Sequence, residues 1–189
     1  MRERSGITIL CGIINIILLL IIPISNVMSN SNEYEQFQQD ISEKYSESIN
    51  VLSSSNTLHL TDEQIDNVQF GFMLFGNEAT RLSQEKKYGQ HKVNSILEKY
   101  PDGEYLYNYT NALMSYNGPI KEVPEKIEYQ GNKIQYHRNT FLHQPTTKEL
   151  KEAIEYLDKI PDDYHGTLAD KIKHDKAIIK SQAAEMGIK

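Results

Sequence analysis

The residues of this chain that could do chemistry are six histidines, one cysteine, a serine run and many carboxylates, and their spacing decides whether they can. The histidines are His59, His91, His137, His143, His165 and His174. A metal site read from sequence needs ligands at short, regular spacing, as when HExxH presents two imidazoles on one helical face. No such segment occurs, and His137 and His143 lie six apart where no helix is expected. No metal and no cofactor is therefore expected. Ser53, Ser54, Ser55 and Asn56 lack the strained strand-to-helix turn that exposes a nucleophilic serine, and they read as a helix terminator and linker. No glycine-rich loop follows a strand, so nucleotide phosphates have no cradle. The 26 Asp and Glu residues are too numerous for one acid–base pair to stand out. Catalysis is not the expected function.

The elements that would position any site begin with an apolar segment. Residues 6–24 carry no charge and follow Arg2 and Arg4. These 19 residues are close to the roughly 20 that span a bilayer as a helix, while a cleaved signal peptide has a shorter apolar region. Ser25, Val27 and Ser29 nevertheless offer a cleavage site, so an uncleaved anchor and a cleaved signal both remain open. In either case, arginines before the segment and Glu33 and Glu35 after it place the rest of the chain outside the cytoplasm. The expected location is the cell membrane, single-pass with the C-terminal domain outside, or secreted if the signal is cleaved. Cys11 is the only cysteine and lies in this segment, so the exported part has no disulfide. Leu10 before it is not small, which favours an ordinary thiol over a lipid attachment site. Setting aside Arg2, Glu3 and Arg4, the chain keeps 18 basic and 25 acidic residues. That balance argues against nucleic acid or an anionic bilayer as the main partner.

The periodicities predict helices nearly throughout. Tyr34, Phe37, Ile41, Tyr45, Ile49 and Leu52 step by three and four, giving a first helix whose stripe is expected to pack on the helices after it, with dimerisation as the alternative. Thr61 and Gln64 form a capping box, so a second helix begins near Asp62 and buries Ile65, Val68, Phe72, Phe75, Ala79 and Leu82. Gly89 interrupts it; Val93, Ile96, Leu97 and Tyr100 then run to a turn at Pro101, Asp102 and Gly103. Leu106, Tyr109, Leu113 and Tyr116 form the stripe of a helix stopped by Gly118 and Pro119. Asn108, Tyr109 and Thr110 make a glycosylation sequon, which the inward Tyr109 marks as coincidental. Thr146 or Thr147 caps a helix with Leu150, Ala153, Ile154, Leu157 and Ile160 inside and Pro161 at its end. A turn at Asp162 to Gly166 leads to a last helix with Leu168, Ile172, Ile179 and Ala183 inside and Lys171, Lys173, Asp175, Lys176 and Lys180 outside.

Between these helices, residues 118–145 form an insertion. Within it Ile127 to Tyr136 alternates in polarity around Gly131 and Asn132. A β-hairpin pairing Tyr129 with Ile134 and Ile127 with Tyr136 fits this pattern, and so does a helix with Ile127 and Ile134 one heptad apart. The helix would carry Gly131 mid-span at a cost of about 1 kcal/mol relative to Ala. Tyr129, Tyr136 and Phe141 are candidate binding residues there, since inserted segments often carry contacts. The twelve tyrosines, with no tryptophan, divide between core stripes and turns.

The stretch Gln69 to Pro101 resembles one tetratricopeptide unit. Phe72, Phe75, Gly76 and Ala79 are similar to that family's pattern in the first helix, and Gly89, Val93 and Pro101 to its pattern in the second. An offset of about 34 residues sets Phe72, Met73, Phe75, Gly76, Asn77 and Leu82 on Leu106, Tyr107, Tyr109, Thr110, Asn111 and Tyr116. The resemblance implies an all-α fold of tetratricopeptide-like hairpins whose two glycines let helices approach closely. The expected organisation is a membrane anchor or signal peptide over 1–30, an amphipathic helix and linker over 31–61, and the helical domain over 62–189. It also implies a groove lined by Phe70, Met73, Asn77, Thr80, Glu104, Tyr107, Asn111 and Met114. Family members that clamp a peptide carboxylate use Lys, Arg and Asn; only Asn77 and Asn111 stand at such positions here, so an apolar or hydrogen-bonding peptide is expected. The chain thus reads as an extracytoplasmic protein-interaction module, not an enzyme, binding a protein or peptide partner and no nucleic acid. A small cell-envelope hydrolase or lytic factor and a structural or immunity-type envelope protein are the alternatives.

Overall fold

The computed structural model describes residues 31–55, 58, 60–117, 127–129, 132–134 and 144–188. Among these residues the fold is all-α apart from two short strands. Helix α1 covers residues 31–54. It is followed by α2 (Asp62–Gly76), α3 (Glu78–Tyr88), α4 (Gln90–Lys99), α5 (Gly103–Asn117), β1 (Ile127–Tyr129), β2 (Asn132–Ile134), α6 (Thr147–Leu157) and α7 (Ala169–Glu185). Among the described residues no helix is long and apolar enough to cross a membrane. The segment 6–24, and with it Cys11, lies outside the described residues.

The chain divides into two compact units, Met1–Ser42 and Glu43–Lys189. In the first, the described residues 31–42 are helical, with one-turn side-chain bonds from Ser31 to Glu35 and from Gln36 to Asp40. The second holds the core, in which Leu52, Val68, Phe72, Val93, Leu106, Tyr109, Leu113, Leu150, Leu157 and Ile179 are fully buried.

Within the second unit, helices pack in pairs. Residues 43–54 of α1 run antiparallel to α2: Ser48 meets Asn67 and Gly71, while Tyr45 stacks against Phe72 and Phe75 further along α2 and against Tyr100. The α2–α5 pair is also antiparallel. Gly103 at the start of α5 lies on Phe75 near the end of α2, while Asn117 at its end accepts from the Leu60 amide at 3.3 Å and donates to the Leu58 carbonyl at 2.9 Å. The pairs Lys176–Ile160 and Lys180–Asp158 turn α7 back along the end of α6. Such packed pairs are compatible with a helical repeat fold.

The predicted capping box forms at Thr61 with Gln64, and of the two threonines expected to cap α6 it is Thr146 that does so, in a box with Glu149. Each box satisfies orphan amides locally, which is why such caps are legible without the fold. The helix expected to run through Leu82 instead ends at Gly76. Asn77 adopts an extended backbone and its Oδ1 accepts the Thr80 amide at 2.9 Å, so the side chain starts a new helix at the cost of the old one. In consequence α3 buries no residue, and Ala79 and Leu82 are exposed where a core stripe was expected. Of the two glycines expected to allow close approach, Gly76 does so, under the Tyr107 ring of α5, whereas Gly89 has φ of 94° with open space around it, so its role is conformational.

The offset of about 34 residues sets α2 on α5. Equivalent helices of a stacked array run parallel, whereas α2 and α5 run antiparallel. Leu82 is exposed while its counterpart Tyr116 is buried. In the insertion, β1 and β2 pair antiparallel with Ile127 opposite Ile134 and Tyr129 opposite Asn132. This register is two residues tighter than expected and leaves the two-residue loop that hairpins favour. Tyr136 and Phe141 lie outside the described residues.

Candidate interaction face

Four of the eight residues expected to line a groove belong to α2 and the start of α3, and four to α5. Phe70 is 62% exposed, and Met73, one turn on, is half-buried. Because α5 runs antiparallel and its Tyr107 ring covers Gly76, Asn111 and Met114 climb α5 toward the heights of Met73 and Phe70. Tyr107, Asn111 and Met114 are each half-buried. Side by side, these five positions make an uncharged strip along the α2–α5 pair. Asn77 and Thr80 lie past the end of α2, joined by the cap that starts α3. Glu104 is exposed in the first turn of α5, where a carboxylate favours the positive end of the helix dipole.

The two amides carried over from the family resemblance are engaged with backbone. Asn77 caps α3, and Asn111 donates to the Tyr107 carbonyl at 2.8 Å. The surface of these five positions is therefore chiefly apolar, with Phe70 as its most exposed part.

Two polar clusters were not legible in the sequence. The expected solvated face of α7 included Asp175, yet this carboxylate is only 3% exposed. Its Oδ2 accepts a short hydrogen bond from the Tyr109 hydroxyl and lies 3.2 Å from Lys171 Nζ. Asp175 occupies the stripe Ile172, Asp175, Ile179, Ala183, and that spacing was the available signal. Asp102 forms the second cluster. Its Oδ2 accepts from the Thr167 amide at 2.9 Å and the Thr167 hydroxyl at 2.7 Å, and Tyr164 donates to the Thr167 carbonyl at 3.0 Å. This clamp ties the turn before α5 to the loop before α7, where Leu168 is held at a left-handed φ of 62°.

Both clusters hold tyrosines in their neutral form. Burial, then Asp102, then Tyr100 push Tyr45 up to about 12. Burial first and a neighbouring carboxylate second also raise Tyr109 and Tyr164 well above the ordinary range. Unfolded tyrosines ionise near pH 10. Stability contributed by these protons is therefore complete below that pH and falls as pH rises towards the folded value, because only the unfolded chain releases them. Tyr45 alone accounts for a loss of about 2 kcal/mol by pH 12. The urea midpoint should fall steadily above pH 10, and phenolate absorbance should show a late fraction that appears together with unfolding. A midpoint unchanged between pH 9 and pH 11 would contradict the buried placement of these hydroxyls.

Ser53, His165 and Asp170 line an open hollow of about 490 Å³ together with Gly166, Leu168, Ala169 and Lys171. They are residue types of nucleophilic catalysis, but no hydrogen bond joins them among the described residues, as a nucleophile and its base require. His91, His165 and His174 are exposed, and His59, His137 and His143 lie outside the described residues. Among the described residues no group of three or more His, Cys, Asp or Glu could hold a metal ion. Comparison with known proteins finds no matching family model, no matching curated sequence and no matching solved structure.

Proposed function

We propose that the protein is an extracytoplasmic interaction module that binds a protein or peptide partner through the α2–α5 strip. Residues 6–24 hold it at the membrane, or release it if they are cleaved as a signal. The observation that carries this reading is the exposed apolar surface of Phe70, continued by Met73, Tyr107 and Met114. Glu104 is the single charge among the eight candidate positions of a chain that is 24% charged. Exposed apolar surface of this kind costs solubility and is retained most readily where a partner covers it. The packed pairs α1–α2 and α5–α6, with α7 as the terminal helix, suit a short tetratricopeptide-like array whose exposed helix faces serve for recognition. A partner would contribute an amphipathic or extended segment with an apolar side chain against Phe70.

The test is affinity capture from host membranes with the full chain as bait, beside a Phe70→Glu, Met73→Glu variant. Phe70 is exposed and Met73 half-buried, so helicity should be unchanged and the urea midpoint nearly so. A charge placed in an apolar contact should weaken capture of a specific partner about tenfold or more. Equal capture by both proteins would remove the strip from the binding surface.

A further inference from the structure

Between α2 and α5 the chain makes an excursion whose charge is opposite to that of the whole. Over residues 78–99, Arg81, Lys86, Lys87, Lys92 and Lys99 outnumber Glu78, Glu85 and Glu98, in a chain of net charge −6. The corner from Lys86 to Lys92 contains three lysines and His91 without a carboxylate. It also projects, since a side chain built at Gly89 would meet nothing within 4 Å and α3 buries no residue. Lys86, Lys87, His91 and Lys92 are all exposed. One turn before Lys86, on the same helical face, Leu82 is 52% exposed. An exposed leucine among lysines on an unburied helix has the composition of a segment that lies in the headgroup region of a bilayer.

We propose that this α3–α4 corner is a docking surface for an anionic phospholipid leaflet. Charge complementarity selects an anionic surface. Lipid is favoured over an acidic protein because residues 6–24, if they are a membrane segment, hold the corner at leaflet concentration. The acidity of the chain as a whole argues against an anionic bilayer as its main partner, and the proposed contact is that of the corner alone. A lysine near an anionic leaflet raises partitioning by up to roughly fivefold. Leu82 adds a shallow apolar insertion. The contact would fix which way the α2–α5 strip faces.

The experiment uses the full chain with Cys11→Ser, a fluorophore at Ser83→Cys on α3 or at Ser181→Cys on α7, and vesicles carrying headgroup nitroxides. Vesicles are phosphatidylcholine alone or with about 30% phosphatidylglycerol, a charge density like that of a natural anionic leaflet. The Ser83 label should be quenched several-fold more in the anionic vesicles, and the Ser181 label should not respond. High salt should abolish the difference, as should Lys86→Gln with Lys87→Gln and Lys92→Gln. Equal quenching in both lipids, quenching retained by the triple variant, or a label shielded only by added host proteins would overturn the proposal. Flotation separates this from the membrane-segment reading. A chain that floats with anionic but not with neutral vesicles refutes the segment and upholds the corner, whereas one that floats with neither overturns both.

Discussion

Gly71→Ala should lower stability by about 2 kcal/mol and the melting temperature by about 4–8 °C. In an exposed helix the same change would stabilise by about 1 kcal/mol, because alanine is the better helix former. Here an added Cβ would lie 2.0 Å from Ser48 Oγ and 2.6 Å from the Lys44 carbonyl oxygen. The hydroxyl could rotate away, but the carbonyl is the backbone of α1, so α1 itself must move. Moving it withdraws Tyr45 from Phe72, Phe75 and Tyr100, whose ring centroids lie 4.4–5.3 Å from its own. The overpacking cost of about 3 kcal/mol then exceeds the propensity gain. Adding Ser48→Gly should recover only part of the loss, since the clash with the Lys44 carbonyl persists. Urea unfolding of the single and double variants decides the matter. A Gly71→Ala protein more stable than the parent would mean that α1 and α2 do not approach closely.

The second large effect is expected at Asp175, where alanine should cost about 3 kcal/mol. The substitution leaves the fully buried Tyr109 hydroxyl without an acceptor and Lys171 beside it without a counter-ion. Breaking a buried ion pair by removing one partner costs about 3–5 kcal/mol. The Lys171 side chain keeps some access to water, at 19% exposure, which sets the expectation at the lower end. Tyr109→Phe should cost less, about 1.5–3 kcal/mol, because Lys171 still neutralises the carboxylate. If the three groups act as one network, losses in the double variant Tyr109→Phe, Asp175→Ala will fall well short of additive. An Asp175→Ala protein within about 0.5 kcal/mol of the parent would return Asp175 to the solvated face on which its sequence neighbours place it.

Both effects are centred on residues whose importance is invisible one element at a time. Gly71 is unremarkable within its own helix, where a glycine is merely unfavourable, and Asp175 is set apart within its helix only by its place on the buried stripe, since an aspartate among lysines looks solvated. Their roles come from residues 23 and 66 positions away, Ser48 and Tyr109. The interaction face was read only in part. Phe70 as exposed surface follows from its lying off the stripe of Val68, Phe72 and Phe75. That Asn77 and Asn111 bond to backbone groups three and four residues away was not read, although short polar side chains on helices commonly do so.

By itself, the sequence determined what depends on near neighbours along the chain: the helical periods, the capping box at Thr61, a threonine cap before α6, the helix start at Asp62, and the burial of Phe72, Leu106, Tyr109 and Leu157. These rest on interactions within about four residues, whose energies are specified locally. Only the tertiary structure decided which helix lies against which, that α2 and α5 run antiparallel, and that the chain leaves the core at Asn77 to make the α3–α4 corner. An amphipathic stripe states that a face must be covered but not by what, since apolar burial has no direction. The partner is chosen by close approach of α1 at Gly71, of the Tyr107 ring at Gly76 and of the Phe75 ring at Gly103, by hydrogen bonds accepted by Asp102 and Asp175, and by those Asn117 makes, all of which join residues far apart in the chain.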